Sequence, residues 1–137
     1  MKYQIQHESI KDYQPDIEKI SLSNIQSLND HSIESINIYN TIELLDEPNE
    51  TLKLLLSKLR LKGVVSLIGV DLNKICELYI DKFFNFKEFN GLIKNKTIYP
   101  LSEVIKLLVD NNYKVNTVKT DRLLYYIECG RLQSDQN

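Results

Sequence analysis

An α/β fold is what this sequence predicts: a mostly parallel sheet, helices on its faces and an antiparallel hairpin at its C-terminal end. Three observations predict it. Strand-like and helix-like runs alternate from Ser35 onward, the order that builds βαβ units. Residues 63–70, Gly-Val-Val-Ser-Leu-Ile-Gly-Val, form a nearly continuous apolar run, which suits a central parallel strand covered on both faces. The runs 113–120 and 123–129 are joined so tightly around Asp121-Arg122 that they must pair antiparallel, because a parallel return needs a long crossover.

The first 34 residues are the least regular. Residues 1–6 supply one strand at most, and 17–22 (Ile-Glu-Lys-Ile-Ser-Leu) read as a short strand. Asn, Ser, Asp and His dominate 23–32 and favour turns over a ladder. Residues 35–39 alternate as a strand does. Pro48 then opens a helix with Leu52, Leu55, Leu56 and Leu59 on one stripe, and Lys62-Gly63 is its expected stop. Asp71 stands where an N-cap belongs, ahead of a helix over 72–84 whose apolar positions include Ile75, Cys76, Tyr79, Ile80 and Phe83. A Phe-rich connector, 83–89, leads through Asn90-Gly91 to a third helix over 100–110, carried by Leu101, Val104, Ile105, Leu108 and Val109 and stopped by Asn111-Asn112. The expected organisation is an N-terminal segment 1–34, an α/β core 35–131 and a flexible tail 132–137, all one domain.

Composition narrows the function classes. Hydrophobic residues are 42% and charged residues 26% of the 137, so a packed core is expected and disorder is not. With 17 basic and 19 acidic side chains the net charge is -2, and the one dense basic cluster, around Lys94 and Lys96, is short. Bulk electrostatics therefore give no reason to expect nucleic acid. No signal-peptide core or membrane-length apolar run occurs, so a cytoplasmic location is expected. Alanine is absent while Ile, Asn, Lys and Leu abound, a bias of AT-rich coding sequences such as many phages carry. Cys76 and Cys129 have no metal-ligand spacing and read as small core hydrophobes, while His7 and His31 have no partner at ligand spacing and read as surface residues. No metal site is expected. Tyr125 and Tyr126 fall on opposite faces of the last strand, which puts one ring in the core and leaves the other for a surface or interface.

Local words in the same order point to a family. They are Asn24-Ile25-Gln26-Ser27-Leu28-Asn29, Ser32-Ile33-Glu34-Ser35-Ile36-Asn37-Ile38, Tyr39-Asn40-Thr41-Ile42-Glu43-Leu44-Leu45-Asp46-Glu47-Pro48, Leu59-Arg60-Leu61-Lys62-Gly63, and Gly69-Val70-Asp71-Leu72. These resemble, in turn, the Asp-Ala-x-x-Leu-Pro loop, the Ser-Phe-Asp start of the fourth strand, and the Leu-Glu-His-Leu, Leu-Lys-Pro-Gly-Gly and Val-Pro-Asp-Leu segments of class I S-adenosylmethionine (SAM) methyltransferases. Over about residues 17–131 the chain is similar to the C-terminal half of that domain, especially in methyltransferases of the polysaccharide-biosynthesis type. The resemblance implies a truncated Rossmann-like methyltransferase sheet.

The departures shape the functional expectation. The family holds SAM at a Gly-x-Gly-x-Gly turn after its first strand, where bare backbone approaches the methionine moiety. Here no glycine precedes Gly63, and residues 1–34 have no room for two full βα units. Asn24 replaces the loop acid expected near the adenine, and Leu44 replaces the His of Leu-Glu-His. Asn24, Asn40 and Glu43 are the residues expected to touch SAM if it binds, with Thr41 and Asp71 also at the carboxyl edge of the sheet. Against that, the favoured reading of Glu43 is a solvated helix residue and that of Asp71 an N-cap, since caps are common. No catalytic residue and no cofactor are expected for the isolated chain. The expected function is a non-catalytic, methyltransferase-like interaction or structural subunit of a multi-protein assembly, phage-type included. The alternative is a SAM-dependent methyltransferase, or a subunit of one, acting on a small molecule or saccharide with its site completed by another chain. Loss of the early strands also bares the edge of strand 35–39 and apolar surface, to be covered either by residues 1–34 or by a protein partner or self-association.

Overall fold

The computed structural model describes residues 2–6, 18–20, 22–39, 45, 47–94 and 96–132. One sheet contains six strands, β1 (Lys2–Gln6), β2 (Glu18–Ile20), β3 (Ile33–Tyr39), β4 (Leu59–Val70), β5 (Tyr113–Asp121) and β6 (Leu124–Arg131), in the order β2-β1-β3-β4-β6-β5. β1 to β4 run parallel, and β6 lies antiparallel to both β4 and β5. The helices are α1 (Pro48–Lys58), α2 (Leu72–Ile80), α3 (Phe86–Ile93) and α4 (Leu101–Asp110), with a 3-10 turn at Leu22–Ser27. The mostly parallel α/β sheet with a C-terminal hairpin is thus the observed architecture.

Register explains the core. Ile36 pairs with Val65, Ile38 with Leu67, and Leu67 in turn with Ile127, so apolar side chains line up across neighbouring strands on one face. Leu52 and Leu55 of α1, Val104 and Leu108 of α4, and Ile25 of the 3-10 turn close over them, and all are buried. Each such side chain contributes about 1.5–3 kcal/mol relative to leaving it in water.

Along β4 the described residues bury one face fully and the other in part. From Gly63 to Val70 buried and half-buried positions alternate strictly, so Val65 and Leu67 join the core while Val64, Ser66 and Ile68 lie on the far side, half-buried. Among the described residues the apolar core gathers on one face only. The half-buried positions of β3 and β6 on that far side include Ser35, Asn37, Tyr39, Tyr126 and Glu128, set in register beside those of β4.

Two helix boundaries also differ from expectation. α1 ends at Lys58 rather than at Lys62-Gly63, because Leu59 is already extended and pairs with Ile33. Its last carbonyls are capped from afar: the Arg131 guanidinium donates to the Leu56 oxygen at 2.8 Å and to the Leu59 oxygen at 3.1 Å. Gly63 serves strand packing instead, since a Cβ there would sit 2.7 Å from Leu59 Cγ and 2.9 Å from the Ile33 carbonyl oxygen. α2 stops at Ile80, before the expected residue 84, and Lys82 turns the chain at φ 66°. α3 begins inside the expected Phe-rich connector and runs past it, started by a capping box: Asn85 Oδ1 accepts from the Glu88 amide at 2.8 Å, and Glu88 Oε1 accepts from the Asn85 amide at 3.1 Å.

At the other end, β1 pairs with β3 from Lys2–Ser35 to Gln6–Tyr39. Of the two ways to cover the β3 edge, the chain's own N-terminal residues are the one used. Residues 23–32, expected to be turns, include the 3-10 segment that sends Ile25 into the core. Among the described residues no helix is long and apolar enough to cross a membrane.

Candidate functional site

The sheet order locates the site an α/β fold would use. The chain steps from β1 outward to β2 in one direction and from β3 to β4 in the other, so the winding reverses between β1 and β3. Ligands of open α/β sheets bind outside the carboxyl ends of the strands at such a switch point. Gln6 and Tyr39, the last residues of β1 and β3, face each other in register there. The segments leaving them are residues 7–17 and 40–44, and neither contains glycine. Asn40, Thr41 and Glu43, expected at this edge, lie outside the described residues, as does His7. Of Asn24 the structure describes the backbone alone, within the 3-10 turn.

Asp71, one strand further along the same edge, is placed in full. Its Oδ1 accepts from the Asn73 amide at 3.2 Å, the N-cap of α2. The same oxygen accepts from the Leu101 amide at 3.1 Å, the first residue of α4. Its own amide donates to the Leu123 carbonyl at 2.9 Å. The side chain fastens the starts of two helices beside the terminal hairpin. That favours its capping role over proton transfer, since both bonds engage it as an acceptor of backbone amides.

The half-buried far face of the sheet holds polar groups, of which the sequence did not single out Ser66 and Glu128. Tyr126 donates its hydroxyl to Glu128 Oε2 at 3.3 Å and lies 3.4 Å from Ser66 Oγ. Beside them opens a cavity of about 340 Å³ lined by Ile68, Leu124, Tyr126, Lys119 and Asp121 among others. Strand alternation could have found Ser66 and Glu128, because both occupy the out-of-core parity of β4 and β6. Tyr126, by contrast, was legible as the outward partner of the buried Tyr125.

Nucleophile chemistry has little foothold among the described residues. Burial, with Glu128 adding to it, pushes the Cys129 thiol up to about 12. The buried Tyr113 hydroxyl is likewise raised by burial and donates to the Leu52 carbonyl at 2.6 Å. Cys76 is half-buried and His31 is exposed in a turn. Among the described residues no group of three His, Cys, Asp or Glu side chains is placed to hold a metal ion.

The fold has many solved relatives. A SAM-dependent methyltransferase of Thermotoga maritima superposes with a TM-score of 0.60 at 18% identity, over 84% of this chain and 64% of its own. One from Methanosarcina mazei gives 0.60 at 16%, over 87% and 69%, and one from Mesorhizobium loti 0.59 at 11%, over 86% and 72%. This chain spans just under two thirds of the length of the Thermotoga protein. No protein-family model matches the sequence, and no curated protein matches it significantly. At these identities the likeness concerns architecture: the chain has the Rossmann-like fold of class I SAM-dependent methyltransferases.

Proposed function

We propose that this chain is a methyltransferase-fold protein that transfers no methyl group by itself and serves as an interaction or structural subunit of a larger assembly. The observation that carries the reading is the link from β1 to β2. β1 lies at the switch point with β2 as its parallel neighbour, and residues 7–17, which join the two, contain no glycine and include Pro15. SAM is held in this fold by bare backbone after the first strand, and this link offers no glycine for that approach. Asp71, the best-placed acid of the carboxyl edge, is occupied as a cap.

Calorimetric titration of the purified chain with SAM and with S-adenosylhomocysteine tests this. No heat of binding is expected in the micromolar range, and micromolar affinity for either ligand overturns the reading.

The likeness to SAM-dependent methyltransferases favours a second reading. In it the chain is one subunit of an enzyme methylating a small molecule or saccharide, with the cofactor site completed by another polypeptide. Under that reading the same titration becomes positive only after co-purification with the product of a neighbouring reading frame.

A further inference from the structure

The excursion between β4 and α4 carries apolar surface that its own core does not use. α3 has no buried residue, although Phe86, Phe89 and Ile93 repeat at helical spacing along it. Ile80 is 74%, Phe83 72% and Phe86 64% exposed, the three most exposed large apolar side chains among the described residues. The cluster has internal order: Tyr79 stacks on Phe89 with ring centroids 4.5 Å apart and meets Phe86 at 6.4 Å. A loose tip would not hold three rings in contact.

We infer that this α2–α3 surface is a two-fold contact between two copies of the chain. The charges around it select that occupant. Asp81 and Lys82 sit between Ile80 and Phe83, Lys87 and Glu88 follow Phe86, and all four are exposed. The rim is therefore neutral, with two charges of each sign, which favours neither an anionic membrane nor a strongly charged partner. A two-fold axis brings such a rim against itself, so each sign has an opposite available in the other copy. Asp81, Lys82 and Lys87 form no ion pair among the described residues, which leaves them free for this.

The area agrees. At about 200 Å² per large side chain, the three residues present roughly 400 Å² of apolar surface, or about 800 Å² over two copies. With the rim included, this reaches the lower bound of about 1,200 Å² for a specific interface. The expected complex is a dimer dissociating in the micromolar range.

This inference rests on reading the chain as an interaction subunit, and sedimentation equilibrium tests the two separately. The wild-type chain is expected to dimerise. The double variant Phe83→Ser/Phe86→Ser is expected to raise the dissociation constant at least tenfold with an unchanged circular dichroism spectrum. As a control on a different exposed apolar residue, Val109→Ser is expected to dimerise as wild type does. A monomeric wild type at tens of micromolar overturns the inference while leaving the lack of SAM binding intact. A dimer indifferent to the double variant overturns this surface and keeps self-association. Should the double variant lose its fold, Lys82→Glu/Lys87→Glu, which makes the rim wholly acidic, must weaken the dimer instead. A dimer unaffected by that reversal also overturns the assignment.

Discussion

Replacing Asp71 with alanine removes the acceptor of two backbone amides at once, those of Asn73 and Leu101. The N-cap bond contributes about 1 kcal/mol. The second amide belongs to a partly buried helix start, and a hydrogen bond to a charged acceptor there contributes about 1.5 kcal/mol. Asp71→Ala should therefore lose about 2.5 kcal/mol, a fall of roughly 8–10 °C in Tm for a domain of this size. Asp71→Asn keeps an Oδ1 acceptor and should lose less than about 1 kcal/mol. Asp71→Ser can cap α2 but reaches the Leu101 amide poorly, and should fall between the two. Urea unfolding followed by circular dichroism measures all three. Two results refute the reasoning: an alanine variant within about 0.5 kcal/mol of wild type, or an asparagine variant as damaged as alanine, which would make the charge rather than the acceptor the stabilising feature.

Two further predictions concern the core. Gly69→Ala should cost about 1–3 kcal/mol, because the added Cβ would sit 2.6 Å from Cζ of the buried Tyr125 ring. In a Tyr125→Leu background most of that cost should vanish, and equal costs in both backgrounds in a urea double-mutant cycle would show that the ring is not the obstacle. Cys129 should resist iodoacetamide at about pH 8 in the folded protein and react after denaturation, read by intact mass. Its thiol titrates from an ordinary 9.0 when unfolded but about 12 when folded. Its contribution to stability is thus complete below about 9 and is lost as pH rises toward about 12, so Cys129→Ser should flatten the alkaline limb of a stability profile.

Much of the fold was legible where residues repeat at a strong period or a tight link restricts pairing. The stripe Leu52-Leu55 predicted α1, and the short Asp121-Arg122 link predicted the β5–β6 antiparallel pair. Boundaries failed where a distant residue decides. Leu59 continues the helical stripe of α1, yet pairing with Ile33 and capping by Arg131, remote in sequence, pull it into β4. α3 was missed for a different reason: four phenylalanines read as an apolar connector, while the Asn85-x-x-Glu88 capping box that starts the helix was present in the letters. Of the candidate site, Asp71 was read correctly as a cap, because an acid ahead of a periodic run has a local cause. Its second bond, to Leu101, was not readable, since nothing in the sequence says that two helix starts converge. The alternation of β4 was hidden by valine and isoleucine, which suit either face.

Convergence at Asp71 makes the whole excursion a closed detour. The Leu72 amide donates to the Tyr99 carbonyl at 3.2 Å, and the Leu101 amide returns to the carboxylate that started α2, so residues 72–100 leave and rejoin the sheet at a single knot. Ile75, which is buried, and Tyr99, which packs against the core, tie the detour's base to the rest, while its Phe-bearing tip stays exposed. Length, helix content and surface chemistry of that tip are then free to drift independently of the rest, in the way a scion can be exchanged on a rootstock. A Phe-bearing tip on such a graft could be swapped for another without redesigning the stem, which makes the detour the natural place for descendants of this chain to acquire different associates.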